Sequence, residues 1–462
     1  MKNKVTLQIN KFNLYYKLRT LSRNFFTESY FGIKQLTIFL VIFYSAALFS
    51  QTKSLQCSPP LKLSVPEAVG MSAERLARID NLCNNVINKG ELPGIVALVA
   101  RKGKIVYYKA FGMANNETGK KLRRDDIFRI ASQSKAITST AVMMLWEEGK
   151  FALDDPISKY IPEFKNPKVL DTLYENGEYK TKPADKEITI RHLLTHTSGI
   201  GYGQIDKDER FKKIYSNAGI VDLFTTENIS IAENIKKLAK LPLHHNPGEH
   251  FTYSEGLDVM GYFVEIISGM PFDEFLRKHL FEPLGMNDTW FYLPESKQKR
   301  LVPVQTKKDD KWVKYSPTFY DQDYPIKGAK RFFSGGAGLC STAKDYATFL
   351  QMYLNKGELN GIRILSRTTV EFMLANQIGD LSVLKRRGYK FGLGFALLTE
   401  DGQAIGGKGS PGSFEWGGYF NTQYFADPKE EIIGILMKQT QGIARESSGA
   451  IFRQLVLQAV DD

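Results

Sequence analysis

Cysteine is nearly missing from this chain: Cys57, Cys83 and Cys340 are the three among 462 residues. An odd, sparse set supports neither a disulfide framework nor a cysteine-based metal cluster. A chain this long carries enough apolar sequence to hold a core by packing alone. Long hydrophobic runs are scarce too. Residues 36–49 (LTIFLVIFYSAALF) form one nearly unbroken stretch, shorter than the roughly 20 residues a comfortable membrane span takes. Three catalytic signatures are absent: H-E-x-x-H, G-x-x-x-x-G-K-[ST] and G-x-S-x-G. Their absence excludes a zincin helix, a phosphate-cradling P-loop and an α/β-hydrolase nucleophile elbow. His244, His245 and His250 in HHNPGEH fit no metal-ligand spacing and read as a polar loop. No repeat or low-complexity tract is visible.

The chain is 43% hydrophobic and 24% charged, the proportions of an ordinary globular protein, which excludes a disordered, collagenous or multi-span class. Its formal charge of +12 first suggests nucleic acid or an anionic membrane. Half of that charge lies in the first 50 residues, where Lys2, Lys4, Lys11, Lys17, Arg19, Arg23 and Lys34 face only Glu28. The rest is modest and scattered, without aromatic–basic alternation, so no nucleic-acid partner is expected. Residues 1–50 read as a secretory signal, with small residues for cleavage at Ser45, Ala46, Ala47 and Ser50, or else as an uncleaved anchor. The protein is therefore expected to be exported, periplasmic or extracellular. Residues 51–65 read as a linker, and residues 66–462 as the folded domain.

Along that domain, Leu76, Ile79, Leu82, Val86 and Ile87 recur at helical spacing before Gly90. Residues 95–100 and 105–110 read as a hairpin across Arg101-Lys102-Gly103-Lys104. Residues 132–148 read as a largely apolar helix, and 256–267 and 272–281 as two more. Residues 166–186 and 201–209 read as polar insertions, and 298–314 as a lysine-rich loop. Residues 390–399, 414–425 and 432–437 are strand-like, and Ile451, Leu455 and Ala459 mark a final helix. Strands and a helix open the fold and close it, so the economical architecture is α+β. One mixed, largely antiparallel sheet is built from both chain ends, flanked by helices, with a helical subdomain inserted at roughly 140–330.

A serine nucleophile needs its proton removed, and a lysine one helical turn later shares its face. The pattern S-x-x-K begins at Ser50, Ser132, Ser296, Ser341 and Ser382. Only Ser132-Gln133-Ser134-Lys135 opens a long apolar helix. There the helix dipole favours a developing negative charge, and a buried Lys135 could act as a base. On the residues alone, Ser132 is either that nucleophile or a helix cap.

Phe128-Arg129-Ile130-Ala131-Ser132-Gln133-Ser134-Lys135 resembles the nucleophile segment of the β-lactamase-like serine hydrolases. These comprise class C β-lactamases, low-molecular-weight penicillin-binding proteins and family VIII carboxylesterases. Residues 188–199 (ITIRHLLTHTSG), Pro247-Gly248 with Phe251-Thr252-Tyr253-Ser254, residues 281–286 (FEPLGM) and residues 335–339 (GGAGL) continue the likeness in order. The resemblance spans residues 66–460 and implies a β-lactamase/transpeptidase-like fold. It implies that Ser132 forms an acyl-enzyme, with Lys135 and Tyr253 sharing the proton work and the backbone N–H groups of Ser132 and Tyr419 holding the oxyanion. It implies no cofactor and no metal. The substrate would be a small-molecule ester or a peptidoglycan-like acyl compound, with no membrane partner beyond the N-terminal anchor.

Two motifs depart from the family pattern. Where relatives carry Y-x-N, this chain has Tyr253-Ser254-Glu255, and the runner-up for that motif is Tyr215-Ser216-Asn217. A carboxylate at Glu255 would tend to hold Lys135 charged. Where β-lactamases present K-T-G, this chain has Trp416-Gly417-Gly418, the form found in family VIII esterases. Glu255, Trp416, Gly417 and Gly418 are thus the expected substrate-binding residues, with Glu415 adding negative charge. Trp416 is either a substrate-facing wall or a core aromatic. His196 reads as a structural histidine bonded to backbone. The leading expectation is a carboxylesterase. A β-lactamase, a D-Ala-D-Ala carboxypeptidase or acyltransferase, and a non-catalytic peptidoglycan- or β-lactam-binding protein are the alternatives.

Overall fold

Residues 94–101 (GIVALVAR) are apolar without alternation, which marks a strand covered on both faces. The computed structural model describes residues 53–316, 318–443 and 446–462, and the signal or anchor expected over residues 1–50 lies outside them. Residues 53–462 form one compact unit. Its strands are β1 (Lys62–Leu63), β2 (Gly94–Arg101), β3 (Lys104–Asn115), β4 (Tyr389–Phe391), β5 (Ala396–Leu398), β6 (Phe414–Gly417), β7 (Gln423–Asp427) and β8 (Ile432–Met437). They form one sheet in the order β1-β3-β2-β8-β7-β6-β5-β4, with Lys120–Lys121 pairing on β3. All these pairings are antiparallel except β1 with β3. The last strand lies beside the first long one, Ile432 opposite Arg101 and Met437 opposite Val96. The mixed, mostly antiparallel sheet built from both chain ends is therefore present.

The helices that frame the sheet are α1 (Arg78–Asn88), α2 (Ser134–Glu147), α3 (Gly256–Ser268), α4 (Ala343–Leu354) and α5 (Ser448–Leu457). Period-2 geometry sends alternate residues of β2 to opposite faces. Ile95, Ala97 and Val99 meet Ile79, Cys83 and Val86 of α1 and Phe452 and Val456 of α5. Val96, Leu98 and Ala100 join the larger core that holds α2, α3 and α4. The helix α2 is buried almost all round, from Ser134 through Met143. It packs against α3, and α4 packs against β8 and β2.

Several expected elements are divided or replaced. The strand expected over 414–425 is two strands, β6 and β7. Gly418 and Asn421 make the turn between them, Asn421 at a φ of 75°. Residues 390–399 likewise split into β4 and β5 around Gly394, at a φ of 91°. The lysine-rich loop contains a hairpin, Gln305–Lys308 with Lys311–Lys314. Asp309 and Asp310 supply its two left-handed residues, the requirement of a tight hairpin turn. The polar insertion at 166–186 is also a hairpin, Lys168–Leu173 with Tyr179–Pro183. Polar composition hid both, because their strands have little apolar alternation to read. Part of the expected linker is pinned, since Lys62–Leu63 is the edge strand β1.

Candidate active site

Ser132 does not begin α2. It sits in the 3-10 turn Ala131–Gln133 that leads into the helix. The N-cap of α2 is Gln133, and no side chain caps it. Ala131 has a φ of 44°, a sparsely populated backbone conformation that persists only when its surroundings enforce it. They do so here. Phe128–Arg129 pairs antiparallel with Cys340–Ser341, and the Ile130 N–H donates to the Leu339 carbonyl at 3.0 Å. The Arg129 guanidinium, 1% exposed, donates to the Gln322 and Val302 carbonyls at 2.6 and 2.7 Å. No side chain caps either the turn or the helix, so the helix-cap alternative for Ser132 falls.

Lys135 lies one turn on and is 2% exposed. Its Nζ stands 3.5 Å from Ser132 Oγ, 2.7 Å from the Gly336 carbonyl oxygen and 2.9 Å from the Tyr202 hydroxyl. It also lies 4.6 Å from the centroid of the Tyr253 ring. Trp416 Nε1 donates to the Tyr253 hydroxyl at 3.4 Å, and those two rings are 5.6 Å apart. The fold thus brings Ser132, Lys135, Tyr253 and Trp416 into one continuous set of contacts from three separate stretches of chain.

Over residues 79–458 the sequence matches the protein family described as Beta-lactamase. The chain belongs to that family. It is 31% identical over 369 residues to Protein Rv1367c of Mycobacterium tuberculosis, a match covering 77% of this chain and 87% of that one. It is 31% identical over 396 residues to Esterase EstB of Burkholderia gladioli, covering 81% of this chain and 93% of EstB. The solved structure of EstCE1, a hydrolase with promiscuous acyltransferase activity, superposes with a TM-score of 0.71 at 26% identity, over 83% of this chain and 98% of that one. The fold is thus the β-lactamase/transpeptidase fold, in a family of serine hydrolases that includes esterases.

The beta-lactamase-family motifs then fall into place around the pocket, with corrections. Gly418 fits under the nucleophile segment. Its N–H donates to Thr422 O at 2.8 Å, and a Cβ there would stand 3.2 Å from the Ile130 carbonyl carbon and closer still to its oxygen. Gly417 ends β6, and Tyr419 follows half-buried among Phe224, Phe319, Tyr320 and Phe420. Ala131 belongs to the same aromatic cluster, so the two segments expected to supply oxyanion donors are neighbours. Trp416 is only partly buried and touches Tyr253 and Phe391. Glu415 adds no charge to the pocket. Strand alternation turns it away from Trp416, and it binds Arg386, Arg453 and the Tyr389 hydroxyl.

Glu255, expected beside the substrate, is 1% exposed and lies behind Lys135. Burial, and then the neighbouring Asp222, push its carboxyl well above the ordinary carboxylate range. That shift disfavours the carboxylate form expected beside Lys135. Burial also raises Asp258, which accepts from the Ser334 hydroxyl and the Gly336 N–H. Tyr215 sits at one remove, accepting the Gly201 N–H at 3.2 Å. His196 is the structural histidine: its Nδ1 accepts the Ser254 N–H at 3.3 Å and its carbonyl accepts the Thr252 N–H at 2.8 Å. It thereby grips Tyr253 from both flanks, and burial followed by Lys135 keeps the ring neutral.

Sequence reasoning missed Tyr202, Asp222 and Asp258. Two left a trace. Gly201-Tyr202-Gly203 sets an aromatic between glycines inside a polar stretch, a sign of close backbone approach. Asp258 is a lone acid in the first turn of the apolar helix α3. Asp222 left none.

Proposed function

We propose that the protein is a carboxylesterase that forms an acyl-enzyme at Ser132. The observation that carries this reading is the buried Lys135 Nζ, 3.5 Å from Ser132 Oγ and bonded to Gly336 O and Tyr202. In the reaction, Lys135 takes the Ser132 proton as Oγ bonds to the ester carbonyl carbon. The negative charge moves to the carbonyl oxygen, which the N–H groups of Ser132 and Tyr419 hold. The alkoxide leaves with a proton relayed through Lys135 and Tyr253, and water repeats the sequence to free the acid. Trp416 supports an ester over a β-lactam, because an indole beside Tyr253 gives a substrate carboxylate no cation to meet. The similarity to Esterase EstB supports the same choice.

A fluorophosphonate probe, with mass-spectrometric mapping of the adduct, tests the nucleophile. Label at Ser132 that disappears in Ser132→Ala is expected, and an unlabelled folded protein would indicate a non-catalytic binder. Turnover of p-nitrophenyl acetate should far exceed that of nitrocefin, and the reverse order would return the reading to a β-lactamase. Export through residues 36–49 belongs to the same proposal, and recovery of the protein in the periplasmic or medium fraction checks it.

A further inference from the structure

A neutral lysine that is to act as a base has two N–H bonds and one lone pair, and it works only if the lone pair faces the proton it takes. Around Lys135 Nζ, two acceptors other than the nucleophile are fixed: the Gly336 carbonyl at 2.7 Å and the Tyr202 hydroxyl at 2.9 Å. If each takes one N–H, the lone pair is left for Ser132 Oγ. Gly336 O is backbone and cannot turn away. Tyr202 is a side chain on a loop, so its place must be held by something else.

The loop is held at every N–H from residue 201 to 204. Gly201 N–H donates to the Tyr215 hydroxyl at 3.2 Å and Tyr202 N–H to Asp206 at 3.0 Å. Gly203 N–H donates to Asp222 Oδ1 at 3.1 Å, and Gln204 N–H to Asp222 Oδ2. The Gly201 carbonyl accepts the Glu255 N–H at 3.1 Å. The flanking glycines are required, because a Cβ on Gly203 would lie 2.8 Å from Asp222 Oδ1 and one on Gly201 would meet His244 and Asp206. Asp222 is thus the charged anchor of the loop, taking two of its N–H groups. The charged and titratable groups around Lys135 are then His196, Tyr202, Tyr253, Glu255 and Asp258, with Asp222 behind Glu255.

We propose that Tyr202 is a positioning residue for Lys135, held by the bonds of the Gly203 and Gln204 N–H groups to Asp222, and that it directs the Lys135 lone pair onto Ser132. The inference rests on the esterase reading above. A tyrosine that merely filled space would be replaced by phenylalanine without loss. One that takes a lysine N–H would not.

The test compares Tyr202→Phe, Asp222→Asn, Asp222→Ala and Ser132→Ala in the full chain. It reads p-nitrophenyl acetate kinetics, the fluorophosphonate labelling rate and the thermal midpoint. Tyr202→Phe should lower kcat and the labelling rate by about tenfold or more with KM little changed, since acylation and not binding is affected. Asp222→Asn keeps an acceptor for the Gly203 N–H and should retain several times the activity of Asp222→Ala. A Tyr202→Phe protein labelled at the wild-type rate overturns the proposal while Ser132 labelling leaves the esterase reading standing. Asp222→Asn as inactive as Asp222→Ala, or Asp222→Ala as active as wild type, also overturns it, because the bonds to Asp222 would then not be what holds Tyr202. Absence of labelling in the folded wild type overturns both.

Discussion

Gly418→Ala separates the nucleophile from its electrostatic support without touching either. The added methyl would overlap the Ile130 carbonyl oxygen and Thr422 Oγ1, and stand 3.2 Å from the Ile130 carbonyl carbon. Ile130 lies two residues before Ser132, and Gly418 immediately precedes Tyr419. Both partners are held: Ile130 by Leu339 and the turn by the Gly418–Thr422 bond of 2.8 Å. Relief of the overlap therefore requires roughly 1 Å of separation between the two segments. The N–H groups proposed to hold the oxyanion ride one on each segment. Misplacement by about 1 Å costs about 10²-fold in rate, or ~2.7 kcal/mol, and loss of one oxyanion donor costs about as much. The stability cost should be that of overpacking, about 1–3 kcal/mol. The assay is p-nitrophenyl acetate turnover normalised to fluorophosphonate-titrated sites, beside a thermal melt. Gly417→Ala is the comparison, since its Cβ would stand 3.3 Å from Thr422 O, and it should cost far less. A Gly418→Ala protein that melts lower but keeps kcat within about threefold of wild type would refute the reasoning, because the oxyanion geometry would not depend on this contact.

Glu415→Gln should expose the buried ion cluster behind β6. Although burial opposes ionisation, Arg453 and Arg386 outweigh it and hold the Glu415 carboxyl below its ordinary 4.5. Its stabilisation is therefore present above about pH 4.5 and lost as pH falls through the lower folded value. The variant should melt well below wild type at pH 7, and the gap should close toward pH 3 in parallel melts. Arg129→Met should destabilise by about 3 kcal/mol or more, measured by urea unfolding, because it strands the Gln322 and Val302 carbonyls. Trp416→Ala should raise KM for p-nitrophenyl esters by about tenfold, with a smaller change in kcat, as expected for lost apolar contact. An unchanged KM would make Trp416 a core aromatic.

Much of this was legible in the sequence because the relevant patterns are local. The apolar run of residues 94–100, the hairpin it opens and the helix behind Ser132 are each read from contiguous residues. Ser132, Lys135, Tyr253 and Trp416 are readable as motifs, and the structure brings them together. Roles that depend on what lies across the fold were not readable. Glu255 looks like a substrate-facing residue until the fold buries it near Asp222, 33 positions away. Glu415 looks like pocket charge until Arg453 and Arg386 appear on the other face of the sheet. Tyr202 left only its flanking glycines as a trace, because its meaning lies in a 2.9 Å contact with a residue 67 positions earlier.

The placement of β8 between β2 and β7 also governs how the chain comes to be folded. The β2–β3 hairpin can form early, but β2 then presents the bare edge of IVALVA for as long as residues 432–437 are missing. An apolar edge of that kind recruits other strands, and late, non-local pairing is slow. Newly made chains should therefore pass through a long aggregation-prone interval and depend on chaperones or dilution until β8 arrives. Failed expression of otherwise mild variants in β8 would trace to that interval and not to the chemistry at Ser132.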